Sequence, residues 1–138
     1  MATNIRAALS KKNPYWLGRH RYYELKHFCL QYPEWKKQLN ELGLYSFGSV
    51  ISMSRDGGAV GNPTAEQAEQ RTFYRERIQM IERTAATAAG DLSDYILKGV
   101  TEEVPFHTLQ TVHGIPCCRD TYYELYRKFF WLLSQERQ

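Results

Sequence analysis

Apolar residues recur along this chain with the spacing of α-helices. In the stretch YWLGRHRYYELKHFCLQ, which follows Asn13-Pro14, Tyr22, Leu25, Phe28 and Cys29 fall on one side of a helix and predict a buried stripe. Pro33 disfavours helical geometry at the residue before it but suits a first helical turn, so a second helix is predicted from Pro33 to about Leu42, with Gly43 ending it. Residues 44–62 hold Gly48, Gly57, Gly58 and Gly61 among several serines, and the piece Val50-Ile51-Ser52-Met53 is too short to anchor a sheet. This stretch reads as a flexible connector.

A sharper signal follows. Thr64, after Asn62-Pro63, is a good N-cap, and Gln67 stands in capping-box position, so a long helix is predicted from there. Tyr74, Ile78, Ile81, Ala85, Ala88 and Leu92 share one face of it, and Arg75, Glu76, Gln79, Glu82 and Arg83 occupy the other. Such a seam suits a core better than a coiled-coil partner, since it lasts barely three heptads. Gly90-Asp91 should break the run, with Asp91 capping a shorter helix through Asp94, Ile96 and Leu97 to about Gly99.

The last third predicts a short helix from Pro105 to Val112, a tight turn at Gly114-Ile115-Pro116, and a terminal helix from Asp120 to Gln135. Tyr122, Leu125, Tyr126, Phe129, Leu132 and Leu133 would face inward on that helix. Two apolar-faced helices joined by a turn bearing Gly satisfy the requirements of a helix-turn-helix. In that reading Leu109 and Val112 pack the first helix, Ile115 plugs the gap, and Tyr122 with Leu125 holds the second helix down. Arg119, Thr121, Tyr123 and Arg127 then face DNA. Arg119 would contact guanine, Thr121 a thymine methyl or a phosphate, and Tyr123 a phosphate, with Arg127 or Lys128 positioning the backbone. Gln110 stands where the motif usually has Ala, and Pro116-Cys117 lengthen the turn by about two residues over the minimal three or four. The competing reading is a structural helical hairpin with solvated charges.

The expected architecture is thus all-α: an N-terminal helical pair (residues 1–43), a connector (44–62), then a long central helix and a C-terminal helix-turn-helix (63–138). A chain of 138 residues buries a sufficient core without disulfides or metals, and 43% apolar with 14% aromatic residues is too rich for a disordered chain. No run of eighteen apolar residues occurs, and the start of the chain lacks an apolar stretch, so no membrane association is expected and the location reads as cytoplasmic. Cys29, Cys117 and Cys118 make a poor disulfide framework and read as free thiols of a reducing compartment.

The net charge of +3 is unevenly spread: residues 1–62 carry nine Lys/Arg against four acids, and the rest is slightly negative. A basic half suits phosphate backbones, although many proteins of other kinds share it. Arg19, Arg21, Lys36 and Lys37, interleaved with Tyr15, Trp16, Tyr22, Tyr23, Phe28, Tyr32 and Trp35, are candidate contacts to a partner or to the DNA backbone. Stacked single-stranded bases or a protein such as host RNA polymerase would suit that surface, and core packing with snorkelling basic side chains is the plainer account.

Enzyme readings fare badly. His27 with Cys29, or His113 with Cys117 and Cys118, lack the paired spacing that completes four zinc ligands. A Cys-His nucleophile needs an oriented base, and His113 reads instead as part of the turn packing. Gly57-Gly58 and Gly61 lack the Lys-Ser/Thr ending of a phosphate-binding loop. No enzymatic activity, cofactor or metal is expected.

KNPYWLGRHRYYELKHFCLQYPEWKKQL, NPTAEQAEQR and GIPCCRDTYYELYRKFFWLLS together resemble small prophage proteins of Gram-positive bacteria related to the ArpU and RinA late transcriptional regulators. The similarity covers most of the chain. It implies a degenerate relative of the promoter-reading C-terminal domain of sigma factors, acting in a bacterial host on phage late-gene transcription by binding double-stranded DNA. The alternatives are a protein-interaction module working through the aromatic, basic N-terminal helices, and a DNA-packaging protein of small-terminase type. A palindromic target would imply a homo-oligomer.

Overall fold

The computed structural model describes residues 13–43 and 65–137. The connector predicted over 44–62 and the Thr64 cap lie outside the described residues. The described chain is all-α, with helices joined by turns and no strand among the described residues. The helices are α1 (Arg19–Leu30), α2 (32–43), α3 (Ala65–Ala89), α4 (Ser93–Thr101), α5 (Phe106–Thr111) and α6 (Arg119–Glu136), with a single 3-10 turn at Gly90–Leu92.

α1 begins later than the apolar pattern suggests. The Asn13 side chain accepts the Tyr15 N–H at 2.8 Å and its carbonyl accepts the Trp16 N–H at 3.0 Å, closing a turn over Pro14. Local side-chain bonds of this kind compete with helix formation, and only at Gly18 does the chain enter α1. The predicted stripe is the buried one: Tyr22, Leu25, Phe28 and Cys29. α2 starts a residue before Pro33, which sits in the first turn, where its missing N–H costs no hydrogen bond.

The chain divides into two compact units. The smaller, residues 33–43 and 65–79 as described, contains most of α2 and the first part of α3, with Trp35 and Ile78 buried. The larger, residues 13–32 and 80–137, contains α1, the end of α3, and α4 to α6. Here α1, α4 and α6 pack on one another. Ile81, Ala85 and Ala88 are buried along α3 in the predicted order. Thr84 and Thr101 are buried too, and each satisfies its hydroxyl on the carbonyl four residues back, Met80 at 2.7 Å and Leu97 at 2.6 Å.

Asp91 does not cap a helix, contrary to expectation. Gly90 adopts a left-handed φ of +55°, the 3-10 turn follows, and α4 begins at Ser93 with no side-chain cap and runs on to Thr101. The left-handed residue reorients the chain at little cost only because it is glycine. In α6 the buried side chains are Tyr122, Tyr126, Phe129, Phe130 and Leu133. Leu125 and Leu132, predicted as core, are only half-buried, and Phe130, not predicted, is fully buried. The stripe turns toward Phe130 because Tyr22 of α1 meets its ring edge-on, 5.1 Å between centroids.

No described helix is long and apolar enough to cross a membrane.

Candidate functional site

The α5–α6 hairpin holds the residues with the clearest surface chemistry. Pro105 enters α5 in extended geometry, φ −74° and ψ 159°, at the position before the first helical turn, where a ring with no N–H to lose is well tolerated. Phe106 and Leu109 bury their side chains. After Val112 the chain turns at Gly114, whose φ of +67° favours glycine, and the Ile115 N–H then donates to the Leu109 carbonyl at 3.0 Å. Ile115 itself is buried. Residues 112–118 join the helices, longer than the about three or four of a minimal helix-turn-helix.

Two expectations for this turn fail. Val112 does not pack α5: it is 69% exposed, at the cap position where the helix ends. His113 is exposed and takes no part in turn packing.

α6 is anchored by its buried side. Tyr122 lies 5.4 Å from the Phe106 ring and 6.0 Å from that of Tyr126, and the Tyr126 hydroxyl meets that of Tyr22 at 3.4 Å. Burial raises all three phenols above their ordinary range, so the cluster is neutral. Gly99 of α4 lies against this cluster; a Cβ there would stand 2.0 Å from the Tyr122 hydroxyl oxygen.

The outer side carries the candidate contacts. Arg119 is exposed in the first turn, its guanidinium 5.6 Å from the ring centroid of half-buried Tyr123. Thr121 is exposed, its hydroxyl 3.2 Å from the Cys118 sulfur. Arg127 and Lys128 are half-exposed, two turns along. Asp120 and Glu124 share this surface, so three cations face two carboxylates and local charge alone draws a polyanion only weakly.

The N-terminal candidates scatter. Arg21 turns inward: its Nη2 donates to the carbonyls of Ser134 at 2.9 Å and Arg137 at 3.1 Å, its Nε donates to the Ser134 hydroxyl at 3.0 Å, and its Nη1 pairs with Glu24 at 2.9 Å. It therefore satisfies the last carbonyls of α6, where a cation also complements the helix dipole. Arg19 is exposed near the Tyr23 ring, 5.9 Å from its centroid, while Lys36 and Lys37 are exposed on α2. Tyr22, Phe28, Tyr32 and Trp35 are buried, Tyr15 and Trp16 half-buried, and Tyr23 exposed, so most of the aromatic-basic interleaving is core with basic side chains around it. The Tyr32 hydroxyl donates to Glu82.

The pattern reading missed the Arg21 clamp and the Gly99–Tyr122 contact. A glycine inside an amphipathic helix was the available signal for the second. An arginine between His20 and Tyr22 carries no such signal, because the Ser134 and Arg137 groups it serves lie more than a hundred residues away. Among the described residues no three His, Cys, Asp or Glu side chains gather to hold a metal ion. No family model, curated protein or solved structure matches this chain.

Proposed function

We propose that this chain binds double-stranded DNA by laying the N-terminal part of α6 in the major groove, and that it does so as a regulator of phage late-gene transcription. The observation that carries the DNA reading is the two-sidedness of α6. Arg119 and Thr121 are exposed in its first turn, while Tyr122, Tyr126 and Phe129 hold its other side in the core. Arg119 reads a guanine through its two-pronged fork, Thr121 meets a thymine methyl or a phosphate, and Tyr123 donates to a phosphate. Arg127 and Lys128 grip the backbone. The regulatory role is supported by the resemblance of the three segments quoted above.

The test is a selection from random-sequence duplex DNA followed by gel-shift titration at several salt concentrations. Arg119→Ala is expected to cost about 1–3 kcal/mol and to relax preference at one base position; Arg127→Ala is expected to weaken all sequences alike and lower the salt slope by about one. Absence of retention at low salt by folded protein refutes the reading. A homogeneous loss in both variants, with no selected sequence, reduces it to non-specific binding and refutes base readout.

A further inference from the structure

The chain has three thiols in very different settings. Cys29 is fully buried in α1, and burial pushes its thiol far above the ordinary range, which leaves it protonated and inert. Cys117 and Cys118 are neighbours in the turn that feeds α6. Cys117 is half-buried and Cys118 is exposed. The Thr121 hydroxyl, followed by the nearby N–H groups of Thr121 and Asp120, holds the Cys118 thiol below its usual value, although the sulfur makes no regular capping bond. Burial and the adjacent Cys118 raise that of Cys117.

Geometry restricts what such a pair can do. The peptide between them is trans, so their Cα atoms stand about 3.8 Å apart, short of the about 4.4 Å at which disulfides begin. A direct sulfur–sulfur bond of about 2.05 Å therefore does not fit this backbone, whereas one larger atom placed between the sulfurs relieves the mismatch. The coordination number is restricted as well. No third His, Cys, Asp or Glu joins the pair among the described residues, so a zinc ion, which takes four ligands, finds half a site.

We propose that Cys117 and Cys118 form a two-thiol site for a trivalent arsenical, a soft species of the class that thiolates select. The Cys118 thiolate attacks arsenic first, and Cys117 closes the ring. With an organic arsenoxide two arsenic–sulfur bonds form, both arsenic–oxygen bonds of the oxide break, and the two thiol protons leave with that oxygen as water. Arsenic stays trivalent, and no oxidant or reductant enters. The organic group fills the third position.

Phenylarsine oxide added to the full-length protein, reduced beforehand with a phosphine, tests the site. Intact mass is expected to show one arsenical per chain, with two of the three thiols lost to a thiol reagent and both recovered on adding a small dithiol. Cys117→Ser and Cys118→Ser should each weaken binding by about 100-fold or more, because the second bond becomes intramolecular only when both thiols are present. Cys29→Ser should leave it unchanged. Serine suits the N-cap at 118, and circular dichroism of each variant separates a lost site from a lost fold. Absence of an adduct, an adduct consuming one thiol and persisting in Cys117→Ser, or one lost in folded Cys29→Ser overturns the proposal.

Discussion

Substituting Gly99 by alanine tests the packing on which the α6 surface depends. The added Cβ would lie 2.0 Å from the Tyr122 hydroxyl oxygen and 3.3 Å from the ring carbon bearing it. Tyr122 is 2% exposed and has little room to swing, with Phe106 at 5.4 Å, Tyr123 at 5.1 Å and Tyr126 at 6.0 Å between ring centroids. Overpacking costs about 1–3 kcal/mol, and a contact this short belongs at the upper end. Alanine recovers about 1 kcal/mol of helix propensity over glycine, leaving a net loss of about 2 kcal/mol. For a chain of this length that lowers Tm by about 6–10 °C. The assay is urea unfolding followed by circular dichroism for the wild type, Gly99→Ala, Tyr122→Phe and the double variant. Removing the hydroxyl leaves the ring carbon at 3.3 Å as the nearest atom, so the double variant should regain most of the loss, a coupling of at least about 1 kcal/mol between contacting residues. A Gly99→Ala protein as stable as wild type, or strictly additive losses, would refute the reasoning.

Three further expectations follow from the same structure. Leu109→Ala, at a fully buried position, should cost about 2–5 kcal/mol, whereas Val112→Ala should stay within about 0.5 kcal/mol; equal losses in chemical denaturation would contradict the exposure of Val112. Arg21→Lys should lose the Nε donation to the Ser134 hydroxyl and the Nη1 pairing with Glu24 and cost about 1–2 kcal/mol, since the site is partly open to solvent and one ammonium cannot serve those partners together with the Ser134 and Arg137 carbonyls. Hydrogen exchange should then quicken in the last turn of α6 and not in its first, and unchanged protection throughout would count against the clamp. Burial raises the phenols of Tyr22, Tyr122 and Tyr126, so the folded state holds their protons more tightly than the unfolded chain. The stabilisation is therefore intact below the ordinary tyrosine value near pH 10 and is lost as pH rises from there through the raised folded-state values. Tyrosinate absorbance and helical dichroism should change together above that pH, and ionisation of these phenols with helicity intact would contradict their burial.

Helix identity was legible because it is a local property. A period of 3.6 residues places Tyr22, Leu25, Phe28 and Cys29 on one face wherever the helix lies, and Gly114 marks a turn because few other residues tolerate its φ. The inward placement of Leu109 and of Ile115 was legible for the same reason, since each is an apolar residue in or beside a single short turn. Helix starts were less legible where two local signals competed, as at Asn13-Pro14, whose turn delays α1 to Arg19, and at Gly90-Asp91, where the left-handed glycine overrode the capping aspartate. At the candidate site, the exposure of Arg119 and Thr121 and the burial of Tyr122 agree with the pattern, while Val112 and His113 depart from it.

The sequence by itself determined the helical class, the order of the helices and the two-sided character of α6, all of which follow from spacing, capping and turn chemistry within a few residues. Tertiary structure alone decided which apolar side chains at the edge of a stripe became core, so that Phe130 is buried against Tyr22 while Leu125 and Leu132 stay half-open. It also decided that Gly99 had to be glycine and that Arg21 serves the end of α6. The physical reason is that each of these depends on which helix arrives opposite. Periodicity specifies the direction a side chain leaves its own helix and carries no information about what it meets there.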